Sequence, residues 1–97
     1  MNLKFEWDAG KNRVNQAKHK IDFKTAALVF GDENRIEYYD KYHSDNEDRF
    51  ITIGRVGESY MVLVVVYTER KNTIRIISAR KANDLERRRY YDGEKDN

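Results

Sequence analysis

The chain contains no cysteine and no proline, and only two histidines among its 97 residues. Without cysteine there is no disulfide framework, no thiolate nucleophile and no cysteine-ligated zinc, and His19 and His43 alone make a poor metal site. Chemistry without a metal or other cofactor is therefore expected. The missing prolines remove the clearest boundary markers, and no internal repeat or low-complexity segment replaces them. Long apolar runs are also missing. The longest, Met61 to Val66, is about strand length, whereas a bilayer-spanning helix needs roughly 20 residues. The start Met1-Asn2-Leu3-Lys4 lacks the apolar core of a signal peptide. These absences point to a soluble, cytoplasmic protein with no membrane association. A 97-residue chain with 39% hydrophobic content has room for one modest core. A single domain is expected over residues 1–93, with 94–97 as a frayed tail.

What the chain does have is localised positive charge. Residues 70–89 hold Arg70, Lys71, Arg75, Arg80, Lys81, Arg87, Arg88 and Arg89 against Asp84 and Glu86, a local +6 in a chain whose total is +2. A focused basic surface on a nearly neutral small protein suits a polyanion, RNA or DNA first.

Periodicity gives the order β-α-α-β-β-β-β-α. Leu3 to Trp7 alternates as a short strand, and Asp8 is positioned to cap a helix running from Ala9 to about Lys20. Val14, Ala17 and Ile21 form a narrow apolar stripe on that helix. Asp22 caps a second helix, with Phe23, Ala26, Ala27 and Phe30 on one side before Gly31, a natural residue to follow a helix end. Strands are expected at 35–40, 50–55, 60–69 and 73–80, forming an antiparallel meander. Asn72 supplies the left-handed residue of the last hairpin. The polar loop Lys41 to Asp48 should be mobile unless a partner orders it. Asn83-Asp84-Leu85-Glu86 fits a capping box for a final helix ending near Tyr91. The class is α+β, with helices on one face of a mostly antiparallel sheet.

A hairpin turning at Lys71-Asn72 sets Thr68 opposite Arg75 and Val66 opposite Ile77. Arg75 then falls on one face of the sheet and Arg80 on the other. Both faces are apolar near the middle, so one helix-covered face and one partner-covered face are both accommodated.

The residues also resemble a known family. Phe5-Glu6-Trp7-Asp8, Lys11-Asn12, Asn15, Lys18 to Phe23 and Ala26 to Asp32 are similar to the N-terminal half of BrnT-type toxins. Arg49 to Gly54, Val64 to Arg70, Arg75 to Ala82 and Glu86 to Tyr90 follow in that family's order, so the similarity runs from about residue 5 to 91. Lys20 departs from it, standing where the family commonly has glycine. The resemblance implies a RelE-like fold, with a sheet of about four to five strands, two N-terminal helices and a C-terminal helix. It implies a metal-independent endoribonuclease of a type II toxin–antitoxin system that inhibits translation and growth. It further implies a BrnA-like ribbon-helix-helix antitoxin, a 2:2 heterotetramer, and contact with operator DNA through the antitoxin.

Metal-free RNA cleavage uses the 2′-OH as nucleophile and needs a base, an acid for the leaving 5′-oxygen, and cations around the phosphate. Arg75 and Arg80 are the candidate phosphate clamps, or else ion-pair partners of Glu69 or Glu86. Glu69 serves either as a base with a raised pKa or as a hairpin-end salt bridge to Arg70 or Lys71. His43 titrates in the right range, with Asp45 and Glu47 close in sequence to orient it; the alternative is a solvated loop residue, as most loop histidines are. His19 either complements the dipole at the end of the first helix or approaches the active face. Arg70, Lys71, Lys81, Arg88 and Arg89 are candidate RNA contacts. Tyr67 and Tyr90 are candidate base-stacking residues with half-buried core as the alternative. Arg87, Arg88 and Arg89 span most of a helical turn, so they cannot all meet one ligand. Trp7, Phe23 and Phe30 are assigned to the core. A non-catalytic nucleic-acid-binding or transcription-regulating module is the alternative function, because the basic C-terminal half alone suffices for it.

Overall fold

A computed structural model of the chain describes residues 3–93; the tail expected at 94–97 lies outside the described residues. The elements are β1 (Lys4–Glu6), α1 (Ala9–His19), α2 (Phe23–Ala27), β2 (Ile36–Tyr39), β3 (Phe50–Arg55), β4 (Val62–Arg70), β5 (Thr73–Lys81) and α3 (Asp84–Tyr91). The sheet order is β1-β5-β4-β3-β2. The expected meander β2 to β5 is antiparallel throughout, and β1 joins its far edge parallel to β5. The class is α+β, as expected.

Local chemistry accounts for the helix boundaries. Asp8 caps α1 by accepting from the Lys11 amide at 2.9 Å. The chain leaves α1 at Lys20, whose φ of 63° is left-handed. Glycine meets no steric penalty there, and lysine does. The Asn12 side chain then ties the two helices together. Its Nδ2 donates to Asp22 and its Oδ1 accepts from the Phe23 amide. The second helix is shorter than its pattern predicts, since Leu28–Gly31 tightens into a 3₁₀ turn. This turn lies on β3 because Gly54 leaves room for it. A Cβ at Gly54 would stand 2.8 Å from Val29 Cγ1 and 2.9 Å from Arg35 Cβ.

Four expectations are corrected. The apolar stripe read on α1 reaches the core only through Ile21, just past the helix end and 3% exposed: Val14 is 67% exposed, Ala17 is exposed, and the residue that α1 itself buries is Asn15. The reason lies in the sheet, because β1 pairs only residues 73–75 of β5 and leaves the rest of that edge open. Asn15 covers it, its Nδ2 donating to the Ala79 carbonyl at 2.8 Å and its Oδ1 accepting from the Ala79 amide at 3.1 Å. A side-chain amide thus replaces a missing strand. The left-handed residue of the last hairpin is Lys71, with φ of 54°, and Asn72 is not left-handed.

The helices also do not share one face. The larger core gathers Phe23, Ala26 and Val29 against Leu63, Val65, Tyr67, Ile74, Ile76 and Ala79, with Trp7 and Phe30 packed at its margin. On the other face, α3 lays Tyr90 over Ile53, Val62 and Val64. Finally, the β4–β5 register shifts between Val66 and Tyr67. Tyr67 pairs with Ile76, but Val66 pairs with Ser78, which leaves Ile77 as an extra residue. Such a bulge inverts the facing of everything beyond it.

Candidate functional site

The bulge determines which side chains meet. Pairing places Ile36, Ile53, Val64 and Arg80 in one row, and Tyr38, Ile51, Val66 and Ser78 in the next. Since Ile53 and Val64 pack under α3, both rows lie on the α3 side of the sheet. Thr68 and Arg75 follow on the same side, with Arg49 and Asp40 completing that row through the Asp40 amide to Arg49 carbonyl bond. Helix α3 shelters the end around Val62 and Val64. Ile51, Val66 and Ser78 remain only half-buried and form the floor of an open cleft.

The walls of the cleft are polar and fixed. Arg80 donates from Nη1 and Nη2 to the two carboxylate oxygens of Glu86, each at 2.8 Å. Glu86 is in turn held by the helix cap, its Oε1 accepting from the Asn83 amide at 2.9 Å. The Arg80 hydrogen bonds hold the Glu86 carboxyl below its ordinary range, against a burial cost that acts upward. Glu86 therefore stays ionised near neutral pH and orients the guanidinium without serving as a base. From the opposite wall comes Tyr38. Burial raises its pKa, while Arg89 and Arg80 pull it down and Glu86 and Asp40 push it up. Tyr38 accordingly stays protonated near neutral pH, able to donate and unable to accept a proton.

His43 sits at the far rim of the same side, beyond Tyr38. Its Nδ1 is 3.0 Å from Asp40 Oδ2. Asp45 and Glu47, the carboxylates that follow His43 in the loop, do not fill this role, and Glu47 pairs with Arg70 at 3.0 Å. The 41–48 loop is tied down by these contacts and by Ser44, whose hydroxyl donates to the Asp40 carbonyl and accepts from the Arg49 amide. The Cα atoms of Asp40 and Arg80 are about 20 Å apart, given a rise of ~3.3 Å per residue and ~4.8 Å between strands. Tyr38 lies between them.

The remaining candidates divide by position. Arg75 is on the cleft side and half-exposed, paired with Glu6 at 2.9 Å. Arg70 and Lys71 are exposed at the hairpin tip. Arg89 approaches Tyr38 closely enough to act on its titration. Arg88 is exposed on α3, whereas Arg87 lies 5.5 Å from the Tyr91 ring centroid. The three arginines indeed point different ways. Lys81 pairs with Leu63 and Glu69 with Ile74, which places both on the α1/α2 side. His19 is half-buried in the last turn of α1, along a groove with Ile77 and Ser78 at the β5 edge. Tyr67 is a core residue only 1% exposed, its hydroxyl donating to Glu37, and Tyr90 is 6% exposed.

Tyr38 escaped sequence reasoning. Tyr38 alternates with Ile36 and Asp40, a visible signal, but its neighbours on other strands depend on register. Among the described residues, no three His, Asp or Glu side chains gather closely enough to hold a metal ion, and no helix is long and apolar enough to cross a membrane.

Fold and cleft together define a small α+β protein with an open, guanidinium-walled sheet face, a surface suited to a single-stranded polyanion. The family model for BrnT, the ribonuclease toxin of type II toxin–antitoxin systems, matches residues 7–86, and the chain belongs to that family. It is thus a ribonuclease toxin by family, for which an RNA substrate and an antitoxin partner are implied. Comparison with curated proteins finds no match.

Proposed function

We propose that the protein is a metal-independent endoribonuclease acting in the cytoplasm, where RNA cleavage inhibits translation and growth until a BrnA-like ribbon-helix-helix antitoxin neutralises it. The toxin and antitoxin form a 2:2 heterotetramer that reaches operator DNA through the antitoxin. The observation that carries the catalytic reading is the Arg80–Glu86 fork across the cleft from a protonated Tyr38.

In the reaction, the 2′-oxygen attacks phosphorus, the P–O5′ bond breaks, and a cyclic phosphate forms. Arg80, with Arg89 and Arg75 along the strand's path, offsets charge that grows on the phosphoryl oxygens. Tyr38 donates a proton to the leaving 5′-oxygen, and the proton of the 2′-OH passes to water in the open cleft, because His43, tied to Asp40 at the far rim, stands too far from Arg80 to act at the same phosphorus. Glu69, His19, Lys81 and Tyr67 stand outside this cleft, so the proposal gives them no part in the chemical step.

Incubating the antitoxin-free protein with total RNA in EDTA, beside Arg80→Ala, tests the reading. Cleavage by the wild type that the variant loses supports it. Intact RNA with tight, salt-dependent binding favours the non-catalytic binding module instead.

A further inference from the structure

Beyond Tyr38, the cleft opens into a second cavity that the chemical step does not use. It lies between the C-terminal end of α3 and the edge strand β2, with a volume of about 730 Å³, and its lining includes Asn34, Tyr38, Arg55, Arg89 and Tyr91. That volume is in the range of small-molecule sites. The lining pairs aromatic faces with guanidinium groups.

The walls of this cavity are held in place. Tyr90 anchors the end of α3 by donating from its hydroxyl to Asp32 at 2.6 Å, and the same Asp32 oxygen accepts from the Arg55 amide at 2.8 Å. The Arg55 Nε donates to the Ser59 carbonyl at 3.1 Å, which fixes its guanidinium on the wall. Tyr91 is 51% exposed, yet its ring is oriented by an edge contact with Tyr90 at 5.0 Å and by the Arg87 guanidinium. A half-exposed ring held by a cation is a ready stacking surface, and stacking on aromatic faces is how unpaired bases are gripped. Arg35, also on the lining, is spent on Glu37 at 3.0 Å. Arg55 and Arg89 are the other two guanidinium groups on the lining, with Glu33 beside Glu37 as its carboxylates.

We propose that this cavity is a nucleotide subsite. It takes the base and phosphate of an RNA nucleotide flanking the scissile bond, with Tyr91 as the stacking face and Arg55 as a phosphate contact. Continuity through Tyr38 and Arg89, which line the cavity and also wall the cleft, makes the occupant part of the same strand that crosses Arg80. The inference rests on the ribonuclease reading above, but it can fail separately.

The test combines two measurements on wild type, Tyr91→Ala, Tyr91→Phe and Arg55→Gln. Amide chemical shifts are followed on adding each 5′-nucleoside monophosphate, and KM and kcat are measured on an RNA oligonucleotide. Shifts at Asn34, Arg55 and Tyr91 are expected. Tyr91→Ala should raise KM about tenfold with kcat little changed, and Tyr91→Phe should restore it, because the ring and not the hydroxyl makes the contact. Cleavage with an unaltered KM in Tyr91→Ala overturns the subsite while leaving the ribonuclease reading intact. Mononucleotide shifts together with an unaltered KM would mark a free-nucleotide site, which also overturns the proposal. No cleavage by any protein, with an oligonucleotide still bound through Tyr91, would sink the ribonuclease reading and keep the subsite.

Discussion

Arg75 and Arg80 stand on the same side of the sheet although Arg80 lies an odd number of positions, five, beyond Arg75 on β5. Strict alternation would put them on opposite faces; the extra residue at Ile77 returns Arg80 to the α3 side. The bulge also keeps Ile76 and Ala79 both in the larger core. Removing Ile77 would therefore have to sacrifice either core packing or the position of Arg80.

Arg80 is the residue on which the cleft turns. Arg80→Ala should lower RNA cleavage about 100-fold or more and relieve growth inhibition, while circular dichroism and thermal melting still report a folded protein. Arg80→Lys should restore little, since an ammonium cannot reproduce the two-pronged contact with Glu86. Normal killing by Arg80→Ala would remove Arg80 from the site.

Asn15 carries a structural role that its polarity conceals. It is 6% exposed and satisfies Ala79 at both backbone groups as well as the Ile21 carbonyl. Asn15→Leu should cost about 2–4 kcal/mol in denaturant unfolding, because it leaves the Ala79 groups without partners. Asn15→Asp should be no milder, since a carboxylate cannot donate to the two carbonyls. An unchanged unfolding midpoint in both variants would refute the edge-cap role.

Lys20 occupies a left-handed position at the end of α1. Lys20→Gly should stabilise the protein by about 0.5–1 kcal/mol through relief of that conformation, offset in part by backbone entropy of the unfolded chain. Thermal melting at neutral pH would report the gain.

Tyr90 gives the protein an alkaline limit. Burial, then its hydrogen bond to Asp32, pushes its pKa up from 10.0 to about 12. A raised folded-state value means the contribution is whole below pH 10.0 and is lost as pH rises through about 12. Ultraviolet titration should find Tyr90 among the last tyrosines to ionise, and Tyr90→Phe should weaken the dependence of stability on alkaline pH. A high-pH stability profile identical in the variant would count against this coupling.

Much of this molecule is legible in its sequence because short-range rules govern it. Asp8, Asp22 and Asn83 cap the helices that the pattern places there, and the strand windows match β2 to β5 closely. The family motifs were legible for the same reason, being local strings in a fixed order. The pairing of Arg80 with Glu86 was open to sequence because six residues span the end of a strand and the first turn of a capped helix. Val14 shows the limit of periodicity. An apolar stripe on α1 reads as core, but the helix was recruited to satisfy hydrogen bonds at a strand edge, a need invisible in its own residues.

The sequence by itself determined the classes of structure and chemistry: an α+β meander, a concentrated basic C-terminal half, no thiol chemistry, and membership of a toxin family. Tertiary structure alone decided which side chains share a face. The Ile77 bulge brought Arg80 around to Arg75, α3 crossed to the side opposite α1 and α2, and Tyr38 arrived at the cleft from β2. Burial of Tyr67 and Tyr90 took both rings out of reach of solvent. The physical reason is that strand register and helix docking are settled by long-range burial and backbone hydrogen-bond satisfaction, which no local window contains.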